Sequence, residues 1–160
     1  MIASSVNDFL RNRGIPFTVV THRTAFTAAE EAAVMHVPGR MWAKTVVCVA
    51  DGVPVLAVLP AHYSIDVERL RLLAGATALR LANEVELAPL YPECELGAMP
   101  PLGPLYGQRV FLDQAMVEDD EIVFNAGTHT DAIRMKLQDF ALLVKPVVGV
   151  FSHKPGLRVH

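Results

Sequence analysis

The sequence predicts an α+β domain with a mixed, mostly antiparallel sheet and surrounding helices. Two apolar, β-branched runs, Met41–Ala50 and Val53–Pro60, are joined by Asp51-Gly52, a dipeptide typical of tight hairpin turns. Segments with helical periodicity and capping residues occur on both sides of this hairpin. Strand and helix patterns do not alternate regularly, as they would in a doubly wound parallel fold. The hairpin is therefore expected at the centre of the sheet.

The N-terminal elements are predicted from caps and β-branched residues. A first helix, capped by Ser4 or Ser5, should end at Gly14, which suits a left-handed stop. A strand is expected over Phe17–Thr21, because this segment is rich in β-branched residues. A second helix begins at Thr27, where a capping box precedes an apolar run.

Helices and short strands alternate after the hairpin. One helix is predicted over Ile65–Ala74, closed by Gly75, and Asn83 caps a helical stretch that ends at about Leu90. The remaining predicted elements are strands at Ala78–Leu81, Arg109–Asp113, Ile122–Phe124 and Asp131–Met135, a turn at Asn125–Gly127, and a helix at Leu137–Val144. The tail, residues 147–160, matches no motif that we can place.

Tyr91–Gly107 is predicted to be a long loop inside the domain, because it holds four of the eleven prolines and three of the ten glycines. Loops of this length are uncommon unless they serve a function. Within it, Gly97–Gly103 could present backbone N–H groups that hold a carbonyl oxygen or position a water. The alternative is a proline-stiffened turn without a ligand.

Lys44 is the most unexpected residue, because it lies inside an apolar strand. Strand alternation places it on one face with Trp42 and Val46. It is either an ordinary lysine on a solvated face or a cation that meets an anionic ligand in a pocket.

Length and composition indicate a single domain over residues 1–160. The charges, 14 basic against 17 acidic residues, give −3, and 52% of the chain is hydrophobic. This excludes a disordered tail and a polycationic nucleic-acid coat, and neither a membrane nor DNA is expected as a partner. No secretory signal or membrane-spanning run is present, and two cysteines without CxxC spacing fit a reducing cytoplasm.

Several reaction classes lack their motifs. GxxxxGK[ST] and GxSxG are absent, and the six histidines include no HxxxH or HxH pair, so neither a metal nor another cofactor is expected. Cys94 has no neighbouring histidine, and the acidic run at 118–121 lacks the spacing of a calcium loop. His129 follows a turn among hydrogen-bonding residues and is either a surface cap or a functional group.

The order of five segments resembles the YbaK-type aminoacyl-tRNA deacylases, which are related to the editing domain of bacterial prolyl-tRNA synthetases. These segments are the helix at Thr27–Ala32, the lysine strand Ala43–Val47, its partner Leu56–Pro60, the glycine–proline segment Gly97–Gly103 and the turn Asn125–Thr130. The ordered set covers most of the chain.

The resemblance implies hydrolysis of the ester that links a wrong amino acid to the 3′ end of tRNA, without a metal, a cofactor or a covalent enzyme intermediate. It assigns catalytic roles to Lys44 and Gly97. It also implies that the aminoacyl end is bound by Phe26, Met99, Pro100, Gly127, Thr128 and His129.

We therefore expect a trans-acting editing enzyme for tRNA charged with a small residue, Ala, Cys, Ser or Thr. The alternative is a non-catalytic module that binds aminoacyl-tRNA or an aminoacyl-tRNA synthetase. The acidic balance is unusual for a free-standing tRNA binder, so either docking to a synthetase or a local basic patch is expected to compensate. Candidates for that patch are Arg11, Arg13, Arg40 and Lys136.

Overall fold

In the computed structural model, which describes residues 4–21 and 41–156, helices and strands mix as the sequence predicts. The helices are α1 (Ser4–Asn12), α2 (Val67–Ala74), α3 (Glu84–Leu90), α4 (Gly103–Tyr106) and α5 (Leu137–Val144). The strands are β1 (Thr18–Thr21), β2 (Ala43–Ala50), β3 (Val53–Pro60), β4 (Ser64–Ile65), β5 (Leu79–Leu81), β6 (Arg109–Asp113), β7 (Glu121–Asn125), β8 (Asp131–Lys136), β9 (Val147–Gly149) and β10 (Ser152–His153).

The predicted hairpin, β2–β3, lies in the middle of a five-stranded sheet with the order β5-β2-β3-β6-β9. β2 pairs antiparallel with both β3 and β5, whereas β6 pairs parallel with β3 and with β9. A second sheet, β1-β8-β7, is antiparallel throughout, and β4 pairs with β10. The α+β class with mixed sheets is thus confirmed.

The two larger sheets meet where β2 begins. Trp42 forms an isolated parallel bridge with Val123 in β7, and its side chain is fully buried. α1 packs Val6, Phe9 and Leu10 against the main hydrophobic core, which also contains residues of both sheets and of α5. Burial of such apolar side chains supplies the main driving force for this packing. The junction brings the start of β2 close to β7.

Three segments differ from the sequence-based expectation. The segment 91–107 contains the short helix α4, because Pro104 suits its first turn and Gly107 closes it in the left-handed region with φ of 66°. The tail forms β9 and β10, which pair with strands distant in sequence. α2 begins at Val67 because Asp66 caps it, accepting a hydrogen bond from the Arg69 amide.

Some predictions lie outside the described residues, namely the helix that begins at Thr27, Phe26 and Arg40. In the part of the chain that the structure describes, no helix is long and apolar enough to cross a membrane.

Candidate functional site

The glycine–proline loop, defined here as residues 91–102, and the late turn, residues 126–130, are joined by backbone hydrogen bonds. The amide of Glu95 donates to the carbonyl of Gly127 at 2.8 Å, and the amide of Gly127 donates to the carbonyl of Ala98 at 2.9 Å. Gly127 is buried and has φ of 95°, a conformation that favours glycine. Two segments far apart in sequence therefore form one unit at the carboxyl end of β7.

Glu95 and Leu96 orient His129 within this unit. The backbone N–H of His129 donates to Glu95 Oε1 at 2.9 Å, and His129 Nε2 lies 2.6 Å from the carbonyl oxygen of Leu96. A carbonyl oxygen only accepts, so Nε2 carries the hydrogen. In the neutral imidazole the lone pair is then on Nδ1. The ring thus offers an acceptor atom in a defined orientation.

Gly97 faces the ring of His129. Its φ is 85°, and a Cβ atom added there would lie 3.4 Å from His129 Cε1 and 3.8 Å from Nε2. Gly97 is exposed, and among the described residues its amide donates no hydrogen bond. An exposed, unengaged N–H beside an oriented imidazole is the kind of donor that can bind a carbonyl oxygen.

Asp131, directly after the late turn, is hydrogen-bonded to Thr128 within it. Its buried carboxylate accepts hydrogen bonds from the hydroxyls of Thr128 at 2.9 Å and Thr21 at 3.1 Å, and its amide donates to the Thr128 hydroxyl at 3.1 Å. Burial raises the pKa of Asp131, but hydrogen bonds such as these outweigh it, so the pKa lies below the usual aspartate range. The Thr128 hydroxyl therefore stabilises the turn through hydrogen bonds to Asp131.

Lys44 lies in β2 near the same turn. Trp42 forms a parallel bridge with Val123. Two residues farther along, the same parallel register places Lys44 beside Asn125, the residue directly before the late turn. The Lys44 side chain is half-buried, and within the described residues its ammonium has no hydrogen bond or ion pair. Burial lowers the pKa of Lys44. Such an unpaired cation is free to contact a ligand.

Met99 and Pro100 occupy a different position from the other predicted site residues. Met99 is 5% exposed and belongs to the main core, and Pro100 is also buried. Both side chains are thus buried within the glycine–proline loop, and their predicted contact with the aminoacyl group stays a prediction. Phe26 lies outside the described residues.

The structure thus groups most of the predicted site at one edge of the fold: Lys44, Gly97, Gly127, Thr128 and His129. Sequence analysis missed Glu95 and Asp131, which hold the loop and the turn in place. A signal for Asp131 was present in the sequence, since a carboxylate at the start of an apolar strand must find donors when it is buried. Glu95 gave no such signal, because its partner is the backbone of a distant residue.

Cys94 is not an activated nucleophile. Its Sγ lies 3.6 Å from the Tyr106 hydroxyl, and burial raises the pKa of the thiol. In residues 4–21 and 41–156 no group of three His, Cys, Asp or Glu side chains could hold a metal ion. Among the described residues, the candidate site offers backbone N–H groups, Lys44 and His129.

Glu95 is expected to be a positioning residue. Replacement by alanine removes the acceptor of the His129 amide, so kcat/KM for the reaction at this site should fall about 10-fold while the melting temperature changes little. Glu95→Gln keeps an acceptor oxygen at the same place and should retain most of the activity. Glu93→Ala is the matched control, because Glu93 contacts Ser4 of α1 instead. Equal losses in the alanine and glutamine variants of Glu95 would contradict the assignment.

Comparison with known proteins gives a match to a family model and to curated proteins. A model described as an aminoacyl-tRNA editing domain matches residues 22–143. The chain is 29% identical over 142 residues to the multifunctional Ser/Thr-tRNA deacylase ProXp-y of Escherichia coli (strain K12), covering 86% of this chain and 84% of that protein. It is also 35% identical over 96 residues to the proline–tRNA ligase of Nitratidesulfovibrio vulgaris, covering 59% of this chain but only 16% of the ligase.

A solved structure has the same fold. It is described as a candidate trans-editing enzyme for prolyl-tRNA synthetase, and it superposes with a TM-score of 0.83 over 94% of this chain and 96% of that chain. The two sequences are 22% identical, so the similarity concerns the fold.

Proposed function

Because the chain belongs to the aminoacyl-tRNA editing domain family, we propose that it acts in trans on misacylated tRNA that carries a small amino acid: alanine, cysteine, serine or threonine. The enzyme is an aminoacyl-tRNA deacylase, and its substrate is a misacylated tRNA. The similarity to a Ser/Thr-tRNA deacylase supports serine and threonine as two of the amino acids.

In the proposed reaction, water attacks the ester carbonyl, the bond between the acyl carbon and the ribose oxygen of the terminal adenosine breaks, and a proton from the water passes to that ribose oxygen as the amino acid is released. The Gly97 amide donates a hydrogen bond to the carbonyl oxygen, where negative charge develops in the transition state. Lys44 contacts the terminal nucleotide or the ester with its ammonium. Water is the nucleophile in this proposal, so no covalent enzyme intermediate forms.

One observation supports this proposal most directly: the bonds between the loop and the turn hold Gly97 opposite the ring of His129. A methyl group on Gly97 would lie only 3.4 Å from that ring. A single Cβ atom at Gly97 would thus already be in van der Waals contact with the ring, so only glycine leaves the amide beside His129 uncovered. In this proposal the ester carbonyl approaches the Gly97 amide from solvent, since Gly97 is exposed.

A panel of mischarged tRNAs tests the proposed function. The parent protein should release alanine, cysteine, serine or threonine from at least one such tRNA, and it should leave correctly charged tRNA intact. A Lys44→Ala protein purified in the same way should release much less amino acid. This control excludes a contaminating hydrolase as the source of the activity. If no member of the panel is deacylated faster than in buffer, the chain is a binding module and the proposal is wrong.

His129 is proposed to influence the choice among these amino acids. With Nε2 engaged by Leu96, Nδ1 can accept a hydrogen bond from the hydroxyl of serine or threonine. His129→Ala should therefore lower kcat/KM for Ser- and Thr-tRNA about 3- to 10-fold more than for Ala- and Cys-tRNA, the amount that one hydrogen bond contributes. The four rates are measured on tRNAs with the same body.

The control for this prediction is His62→Ala, because His62 is exposed and lies outside the loop–turn unit. It should leave all four rates unchanged. A uniform loss in His129→Ala would show that the ring positions the Gly97 loop for every substrate and does not select the amino acid.

A synthetase partner is a further proposal, motivated by the similarity of part of this chain to a segment of a proline–tRNA ligase. In that arrangement the synthetase would supply much of the tRNA affinity that a chain with a net charge of −3 lacks. We expect deacylation at low enzyme concentration to accelerate when a prolyl-tRNA synthetase is added. An unchanged rate at saturating synthetase would contradict a required partner.

A further inference from the structure

The described arginines fall into two groups by their partners. Four form ion pairs with carboxylates: Arg69 with Asp66, Arg71 with Glu68, Arg80 with Glu86 and Arg134 with Glu121. Within the described residues, Arg11, Arg13 and Arg109 have no such pair and lie instead over aromatic rings. Arg11 lies in the last turn of α1 and Arg13 directly after it, so both bring positive charge to this end of the helix.

Both guanidinium groups at the end of α1 are held in place without being neutralised. The Arg13 guanidinium lies 3.8 Å from the centroid of the Phe9 ring, and that of Arg11 lies 5.9 Å from the centroid of the Phe17 ring. Arg11 Nε donates to Asn7, and Arg13 donates to the carbonyl of Phe9. These partners are uncharged, so each guanidinium keeps its charge and several N–H donors for an anion.

A groove adjoins Arg11. It has a volume of about 660 Å³ and is lined by Arg11 and residues 14–19, including Phe17. Asp8 lies one turn before Arg11 and forms no ion pair with it, so the surface keeps an excess of positive charge. Lys136, the other described candidate for a basic patch, lines a separate cavity beside Asp119, Asp120 and Glu121. The basic surface is therefore formed by α1 and the residues that follow it.

α1 extends from the glycine–proline loop, which its first residue contacts, to this basic surface at its other end. At its first residue, the Ser4 hydroxyl donates to Glu93, in the glycine–proline loop two residues before Glu95. From Ser4 to Arg11 the helix rises about 10 Å, at 1.5 Å per residue. The unpaired 3′ end of a tRNA is several nucleotides long and can span such a distance. A duplex whose 3′ end reached Gly97 could therefore rest on the end of α1.

We propose that the arginine end of α1, formed by Arg11, Arg13 and the groove of residues 14–19, binds the phosphate backbone of the tRNA acceptor stem. The inference rests on the proposed function, which identifies the RNA as tRNA. It adds to that function a surface that binds the double-stranded acceptor stem. Phosphate contacts of this kind supply affinity and position the duplex without reading its sequence. Two exposed guanidinium groups thus compensate locally for a chain that is acidic as a whole.

Binding of uncharged RNA tests this surface separately from catalysis. The probe is a fluorescent RNA hairpin with the acceptor-stem duplex and its unpaired 3′ end, titrated by anisotropy at several salt concentrations. The Arg11→Gln/Arg13→Gln protein should bind it about 10-fold more weakly, and the slope of log Kd against log salt should fall by about 2. Arg71→Gln/Arg80→Gln is the control of equal charge change and should bind as the parent does. Replacement of both residues by lysine should keep most of the affinity.

A second probe separates the stem from the 3′ end. A short single-stranded oligonucleotide with the same 3′ sequence lacks the duplex, so its affinity should be the same for the parent and the Arg11/Arg13 variant. Equal weakening on both probes, unchanged affinity for the hairpin, or no hairpin binding by the parent would overturn the proposal. Loss of synthetase binding with normal hairpin binding would also overturn it, in favour of a protein partner.

The outcomes distinguish this inference from the proposed function. If the parent binds the hairpin through Arg11 and Arg13 but deacylates no mischarged tRNA, the proposed function is wrong and the RNA surface stands. If deacylation is normal in the double glutamine variant at low substrate concentration, the surface is wrong and the function stands.

Discussion

Lys44→Ala should fold normally and lose about 100-fold in kcat/KM for deacylation of a misacylated tRNA. The ammonium has no protein partner among the described residues, so its removal breaks no ion pair and leaves no carboxylate unpaired. Loss of one hydrogen-bond donor that stabilises the transition state costs about 10²- to 10³-fold in other hydrolytic sites. The measurement is single-turnover deacylation together with thermal unfolding, in which the two proteins should differ little.

Two further variants decide how to interpret that loss. Lys44→Arg keeps the charge but should restore only part of the rate, because the planar guanidinium is larger and places its donors differently. Lys145→Ala removes an exposed lysine after α5 and should change neither rate nor stability. If a folded Lys44→Ala protein deacylates as fast as the parent, Lys44 is an ordinary surface lysine and is not part of the site.

Gly97→Ala should lower kcat/KM by about 100-fold, more than its effect on folding would explain. The added methyl would lie against the imidazole, 3.4 Å from His129 Cε1, next to the amide that we propose binds the carbonyl oxygen, and the φ of 85° is unfavourable for alanine. Displacement of a reacting group by about 1 Å can cost 10²-fold in rate. The strain in the left-handed region should cost about 1–2 kcal/mol of stability.

Gly75→Ala is the control that separates the effect of backbone strain on stability from an effect on deacylation. Gly75 closes α2 with φ of 67°, and nothing lies within 4 Å of the position of its missing Cβ. The two substitutions should therefore destabilise the fold by similar amounts, whereas only Gly97→Ala should impair deacylation at a temperature where both are folded. If both variants turn over normally, the Gly97 amide does not bind the carbonyl oxygen, and the glycine serves only the conformation of the loop.

The local elements could be predicted because their signals are contained in neighbouring residues. Asp51-Gly52 directs the hairpin, Asn83 and Glu86 form the capping box of α3, and Gly75 closes α2. The parallel pairing of β6 with β3 and β9 could not be predicted in the same way. Each parallel partner comes from a distant part of the chain, and a short apolar strand does not specify which neighbour it will have.

The candidate site shows the same division. Its residue types can be recognised in the sequence: a lysine in an apolar strand, a loop rich in glycine and proline, and a histidine after a turn. The contacts by which Glu95 and Leu96 orient His129, Asp131 holds Thr128 and Met99 packs in the core arise from the fold. Glu95 and His129 are 34 residues apart, and the bond between them joins a carboxylate to a backbone amide. Every residue except proline has that amide, so side-chain identity alone carries no sign of such a contact, and it forms only after the sheets have brought the loop and the turn together.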